Sequence, residues 1–129
     1  MRIVIVGAGK VGTILCRDLN EEGHDLVVID TDPNLVQALM DMMDIAGVIG
    51  SGTNYDTLLE AGVPGADIFV AVTSSDEVNM LSGMIARKMG AGMTIVRARN
   101  EDYHRLSQML QETLGISMII NPDYLAAVH

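Results

Sequence analysis

The first strand-like run of the chain, Arg2–Val6 (RIVIV), passes straight into Gly7-Ala8-Gly9-Lys10-Val11-Gly12, and a helical pattern begins inside those six residues. Alone the glycine pattern is a weak signal; behind a strand and at the start of a helix it stands in the context the motif requires. Gly7 permits a tight strand-to-helix turn. Gly9 has no Cβ, so an anion can approach the backbone. Gly12 lets the helix lie close against the sheet. Eighteen residues beyond Gly12, Asp30 closes a second apolar run, Asp25–Asp30 (DLVVID). Strand, glycine turn, helix, strand and terminal acid form one βαβ unit, which requires a parallel pair of strands.

The rest of the chain repeats that unit. In residues 10–23 (KVGTILCRDLNEEG), Val11, Ile14, Leu15, Asp18 and Leu19 fall on one helical stripe. Asp32-Pro33 starts a second helix, with Asp as N-cap and Pro at its first position. Residues 45–50 (IAGVIG) read as a third strand. A capping-box pattern from Thr53 to Asp56 opens a short helix. Residues 67–73 (DIFVAVT) read as a fourth strand, and Ser74 to Glu77 as the capping box of the helix that follows. Residues 93–99 (MTIVRAR) give a fifth strand. Asn100-Glu101-Asp102 caps one helix through residue 115, and residues 116–120 (ISMII) give a sixth strand. Strands apolar on both faces, alternating with helices, predict an α/β fold: a Rossmann-like, doubly wound parallel sheet of six strands in the order 3-2-1-4-5-6, with helices on both faces. Asn121-Pro122 starts a further helix whose apolar residues run to the last position, His129.

Composition narrows the function. The 129 residues are 49% hydrophobic and 19% charged, as expected of one globular domain. The net charge of −9, with no Lys/Arg cluster, argues against nucleic acid and anionic lipid. No apolar run is long enough to span a bilayer, and the chain opens on a strand rather than a leader. A cytoplasmic location follows. The one cysteine, Cys16, lies among helical apolar positions and reads as core.

The glycine loop and Asp30 point to a nucleotide. The amides and dipole at the helix start favour phosphate. Asp30 can accept hydrogen bonds from ribose hydroxyls and would repel a 2′-phosphate, so NAD(H) is favoured over NADP(H). In this fold, ligands lie beyond the carboxyl ends of the strands. That draws in Gly50-Ser51-Gly52-Thr53, where small residues leave room for an adenine, and Thr73-Ser74. Ser74 is equally explained as a helix cap. Arg97 and Arg99 alternate on one strand, so both cannot serve one site; either is a phosphate partner or a salt bridge. Lys10 faces solvent or phosphate. His24 precedes the second strand, at the wrong end of the sheet, and His104 and His129 have no evident carboxylate partner. No tyrosine is followed by lysine four residues on, and no Cys/His cluster suggests a metal. The pattern is that of a nucleotide module rather than an enzyme.

Three stretches, VIVGAGKVGTILCRDLNEEGHDLVVIDTD, IGSGTNYDTLLEAGVPGADIFVAVTSSDEVNM and VRARNEDY, carry a resemblance over essentially the whole of residues 1–129. The chain resembles the N-terminal lobe of RCK (KTN) domains, in particular the NAD-binding regulatory subunit of Trk-type potassium uptake systems. The resemblance implies a cytosolic sensor at the inner face of the cell membrane. Such domains pair as dimers, assemble into rings beneath a membrane potassium channel or transporter, and gate it by nucleotide-dependent changes of shape. Carried over by position, Gly7, Gly9 and Gly12, with Lys10 and Val11 between them, form the phosphate loop. Asp30, with Thr31 beside it, meets the ribose, and Thr53, Thr73, Ser74 and Arg97 surround the nucleotide. Val96 stands where the family has alanine. The helix after Pro122 would cross to a partner subunit, so the chain reads as cut within it. Some relatives of this kind prefer ATP or ADP. The rival reading is the nucleotide-binding half of an NAD-dependent dehydrogenase without its substrate domain.

Overall fold

The computed structural model describes residues 1–122. They form one six-stranded sheet, all parallel, in the order 3-2-1-4-5-6. The elements are β1 (Arg2–Val6), α1 (Lys10–Glu21), β2 (Asp25–Asp30), α2 (Pro33–Met42), β3 (Ala46–Ile49), α3 (Tyr55–Glu60), β4 (Ile68–Ala71), α4 (Asp76–Met89), β5 (Met93–Arg97), α5 (Glu101–Arg105), α6 (Ser107–Leu114) and β6 (Met118–Ile120). The expected fold class and strand order are both found. The helix expected beyond Pro122 lies outside the described residues.

Alternation along each strand divides the core into two layers, because successive side chains point to opposite faces. Ile3, Ile5, Leu26, Val28 and Val70 face one way and pack with Cys16 of α1 and Val36 and Leu39 of α2. Val4, Val6, Ile29, Phe69, Ala71 and Val96 face the other and pack with Leu58 of α3 and Met80 and Ala86 of α4. Both faces are therefore covered, which is why the strands read as continuous apolar runs. Central β1 shows it most clearly: Ile3 through Val6 are all buried.

Four local expectations are corrected. Helix α1 turns its small residues inward: Gly12 and Cys16 are buried while Ile14 is exposed. The helix can approach the strand only where side chains are short. The short helix α3 is capped by Asn54, whose carboxamide oxygen accepts from the Thr57 amide, and not by Thr53. Helix α4 is capped by Ser75, which accepts from the Val78 amide, and not by Ser74. The single helix expected over residues 100–115 is two, broken at Leu106. A 3-10 turn at Val63–Gly65 that the sequence reading did not include precedes β4, entered through Gly62 at φ +78°.

Candidate functional site

A cleft of about 580 Å³ opens beyond the carboxyl ends of β1 to β5. Its floor is the β1–α1 turn. Gly7 takes φ +112°, a left-handed conformation that glycine adopts without strain. Gly12 lies directly beneath: a Cβ there would stand 1.6 Å from the Gly7 carbonyl oxygen. Gly9 is different. It has φ −77°, and a Cβ built on it meets nothing within 4 Å. Protein packing thus accounts for two of the three glycines. The third leaves open space over the start of a helix.

That helix start could hold an anion. Helices α2, α3, α4 and α5 each have a side-chain cap, from Asp32, Asn54, Ser75 and Asn100. Helices α1 and α6 have no side-chain cap and no acid in the first turn, and of the two only α1, beginning at Gly9, starts in the cleft. Its first amides have no intrahelical acceptor and point, with the positive end of the dipole, at the cleft.

Asp30 forms the wall on the β2 side. Its Oδ2 accepts from the Ala8 amide at 2.7 Å and its Oδ1 from the Asp32 amide at 2.9 Å. The carboxylate thereby pins the glycine loop to the end of β2. An ionised carboxylate has about four acceptor positions, so two lone pairs remain for a ligand. Thr31, and Leu35 from α2, stand beside it, and the Gly50-Ser51-Gly52 turn after β3 closes that end. The opposite wall is Val72, Thr73, Ser74 and Ser75 after β4, with Arg97 from the end of β5. The Arg97 guanidinium lies 3.4 Å from the Thr73 carbonyl oxygen.

Of the residues singled out from sequence, Gly7, Gly9, Lys10, Val11, Asp30, Thr31, Thr73, Ser74 and Arg97 line this one cleft. Gly12 lies under it. Thr53 does not line it; its hydroxyl is 2.8 Å from that of Ser51, which does. Arg99 does not line the cleft; its backbone amide donates to Asp76. The sequence reading missed Leu35 and Val78, apolar lining residues that no motif flags. It also missed Asn79, a polar residue wholly buried in α4. His24 bonds Glu22 and the N-terminus, and His104 bonds the Ala98 carbonyl; neither lines the cleft. Burial pushes the Cys16 thiol up to about 11, as befits a core residue. Among the described residues no cluster could hold a metal, and no helix is long and apolar enough to cross a membrane.

Fold and cleft together define a class: a Rossmann-like α/β domain whose glycine loop opens onto a cleft at the strand ends. Within that class the chain belongs to the TrkA-N domain family, whose model matches residues 3–122. It is similar to the Trk system potassium uptake protein TrkA homolog of Archaeoglobus fulgidus, with 40% identity over 123 residues, 95% of this chain and 28% of that protein. The homolog from Methanothermobacter thermautotrophicus is 35% identical over 127 residues, 98% of this chain and 57% of that one. The chain thus spans only part of the length of these relatives. Among solved structures, the TrkA-N domain of the inner membrane protein ybaL from Escherichia coli superposes with TM-score 0.84 at 21% identity, covering 98% of this chain and 90% of that one. The GsuK channel bound to NAD has TM-score 0.77 at 21% identity, covering 92% and 21%. The Shewanella denitrificans Kef CTD in AMP bound form has TM-score 0.78 at 21% identity, covering 99% and 76%. At these identities the structures show a common fold.

Proposed function

We propose that this chain is the nucleotide-sensing module of a regulatory subunit in a potassium uptake system, with NAD(H) as its ligand and no catalysis of its own. The observation that carries the reading is Gly9, a glycine that protein packing does not require, set over the uncapped start of α1 and 21 residues upstream of an acid that faces the same cleft. Gly7, Gly9, Lys10 and Val11 hold the pyrophosphate, with Gly12 allowing the helix its position. Asp30 and Thr31 take the adenosine ribose. The Gly50-Ser51-Gly52 turn, with Thr53 behind it, borders the adenine. Thr73, Ser74 and Arg97 meet the other end of the ligand.

The relatives named as Trk potassium uptake proteins support a regulatory role beside a membrane transporter or channel subunit, at the inner face of the cell membrane and as a homo-oligomer. A ligand shifts such an assembly only by its differential affinity for two shapes. The loop of residues 73–76 joins β4 to α4, lies against Arg97 at the end of β5, and is the natural lever. The second reading keeps the role and changes the signal: Asp30 accepts any ribose with free hydroxyls, and a relative by fold was solved with AMP, so ATP or ADP would report energy charge instead of redox state.

Calorimetric titration with NADH, NAD+, NADPH, ATP and ADP separates these. Tight NAD(H) binding with weak NADPH binding supports the first reading. Preferential ATP or ADP binding selects the second. Steady NADH turnover with a small carbonyl substrate would refute both in favour of a dehydrogenase module. Equal affinity for NAD+ and NADH would remove redox sensing.

A further inference from the structure

We infer that Asn79 is a positioning residue for the cleft, and that it makes Thr73 an acceptor for a ligand hydroxyl or amide rather than a donor to phosphate. The inference rests on the nucleotide reading above and specifies which end of a dinucleotide the β4 wall takes.

Asn79 is fully buried in α4 and does not line the cleft. Its carboxamide has four hydrogen-bonding positions, and all four are filled. Oδ1 accepts from the Thr73 amide at 2.9 Å and from the Thr73 hydroxyl at 2.7 Å. Nδ2 donates to the Thr73 carbonyl and the Arg97 carbonyl, each at 3.0 Å. The orientation is fixed by the partners: an amide N–H can only donate, so it must meet Oδ1, and two carbonyls can only accept, so they must meet Nδ2. Neither aspartate, which lacks the donors, nor leucine, which lacks everything but the shape, can replace it.

The consequence falls on Thr73. Its amide and carbonyl are both engaged. Its one hydroxyl proton goes to Asn79 Oδ1, which can only accept, at 2.7 Å; the alternative acceptor, the Ser75 carbonyl, is at 3.3 Å. The Ser75 amide donates back to the same oxygen at 3.2 Å. A hydroxyl has one proton and two lone pairs, so one lone pair is left, and Thr73 lines the cleft. What Thr73 can offer a ligand is acceptance of one proton. A phosphate oxygen has none to give. A ribose hydroxyl or a carboxamide N–H does, and both occur in the second half of NAD(H) and not in the triphosphate of ATP.

The test is titration of the chain with NADH, AMP and ATP, in wild type, Thr73→Val, Thr73→Ser, Asn79→Ala and the double variant Thr73→Val/Asn79→Ala. Loss of one hydrogen bond of this kind lowers the ratio of NADH to AMP affinity by about tenfold in Thr73→Val and in Asn79→Ala. Thr73→Ser restores the ratio, and the double variant loses no more than either single one, because Asn79 acts through Thr73. Asn79→Asp is the second variant if Asn79→Ala does not fold by circular dichroism; it keeps the acceptor for the Thr73 hydroxyl but sets an oxygen against the Thr73 and Arg97 carbonyls, and the displaced wall lowers the ratio likewise. An unchanged ratio in Thr73→Val, additive losses in the double variant, or a larger loss for ATP than for NADH would overturn the inference. Wild type that binds no nucleotide at all overturns the proposed function itself, and that result is read before any variant is made.

Discussion

Replacing Gly9 and Gly12 by alanine, one at a time, should separate binding from folding. Gly12→Ala puts a methyl 1.6 Å from the Gly7 carbonyl oxygen, less than half a normal contact, and the obstacle is backbone that cannot rotate away. Helix α1 must lift off the sheet. Overpacking of this kind costs about 1–3 kcal/mol, and a backbone obstacle puts it at the upper end, so the melting temperature should fall by roughly 10 °C at about 4 °C per kcal/mol. Gly9→Ala meets no atom within 4 Å and has an extended backbone open to any residue. Alanine is a poorer N-cap than glycine by under ~1 kcal/mol, offset by the ~0.4–1 kcal/mol gained from a stiffer unfolded chain. The melting temperature should move by no more than about 2 °C. Its methyl occupies the approach to the α1 amides, and losing one charge-assisted hydrogen bond, about 1.5–3 kcal/mol, weakens NADH about 10- to 100-fold. Thermal melts by circular dichroism and calorimetric titration on both variants give the answer. A Gly9→Ala protein that binds NADH normally, or that is as unstable as Gly12→Ala, would refute the division of labour among the glycines.

Other predictions address the walls and the core. Asp30→Asn leaves one of the Ala8 and Asp32 amides facing an N–H group, which should cost about 1–3 kcal/mol in a denaturant titration; removal of the negative charge should raise the NADPH-to-NADH affinity ratio at least about tenfold. The Cys16 thiol, pushed up to about 11 by burial, binds its proton more tightly folded than unfolded. Stability should therefore fall as pH rises from about 9 toward 11, and Cys16→Ala should flatten that slope, measured by urea melts at each pH. Hydrogen bonding to Glu77 raises the Tyr103 phenol above its ordinary value. Glu77→Gln should bring its spectrophotometric titration back down.

The architecture was legible because its signals are periodic or repeated. Every strand sits in an apolar run, and the glycine loop with Asp30 predicts both the turn and the order of the central strands. What was not legible is decided by single contacts. Ser74 and Ser75 are equivalent in sequence, and the choice of cap falls to Ser75 because Thr73 bonds its amide. Thr53 lost its capping place to Asn54 for a similar local reason: its hydroxyl is turned to Ser51. No glycine or proline marks the break at Leu106, so one helix was the natural reading. Ile14 was placed on the buried stripe by periodicity, whereas the close approach demanded by Gly12 turned α1 by its small residues instead. Asn79 was missed because a polar residue within a helix usually faces solvent. Its apolar neighbours, and the absence of a lysine or glutamate at that helical spacing, were the available hint.

The cleft is assembled from five strand ends, and Gly7 and Arg97, which both line it, are ninety residues apart in the chain. No piece shorter than residues 6–97 contains it, and a partly folded chain in which β5 has not docked on β4 lacks its Arg97 wall. A nucleotide bound across it would act as a staple between the first and the penultimate strand. It favours the complete sheet over every partial one by RT ln(1 + [L]/Kd), about 2.7 kcal/mol at a hundredfold excess over Kd. A protease that cuts only opened molecules would find the liganded chain about a hundredfold slower to digest, which makes survival of the chain a readout of any ligand the cleft takes.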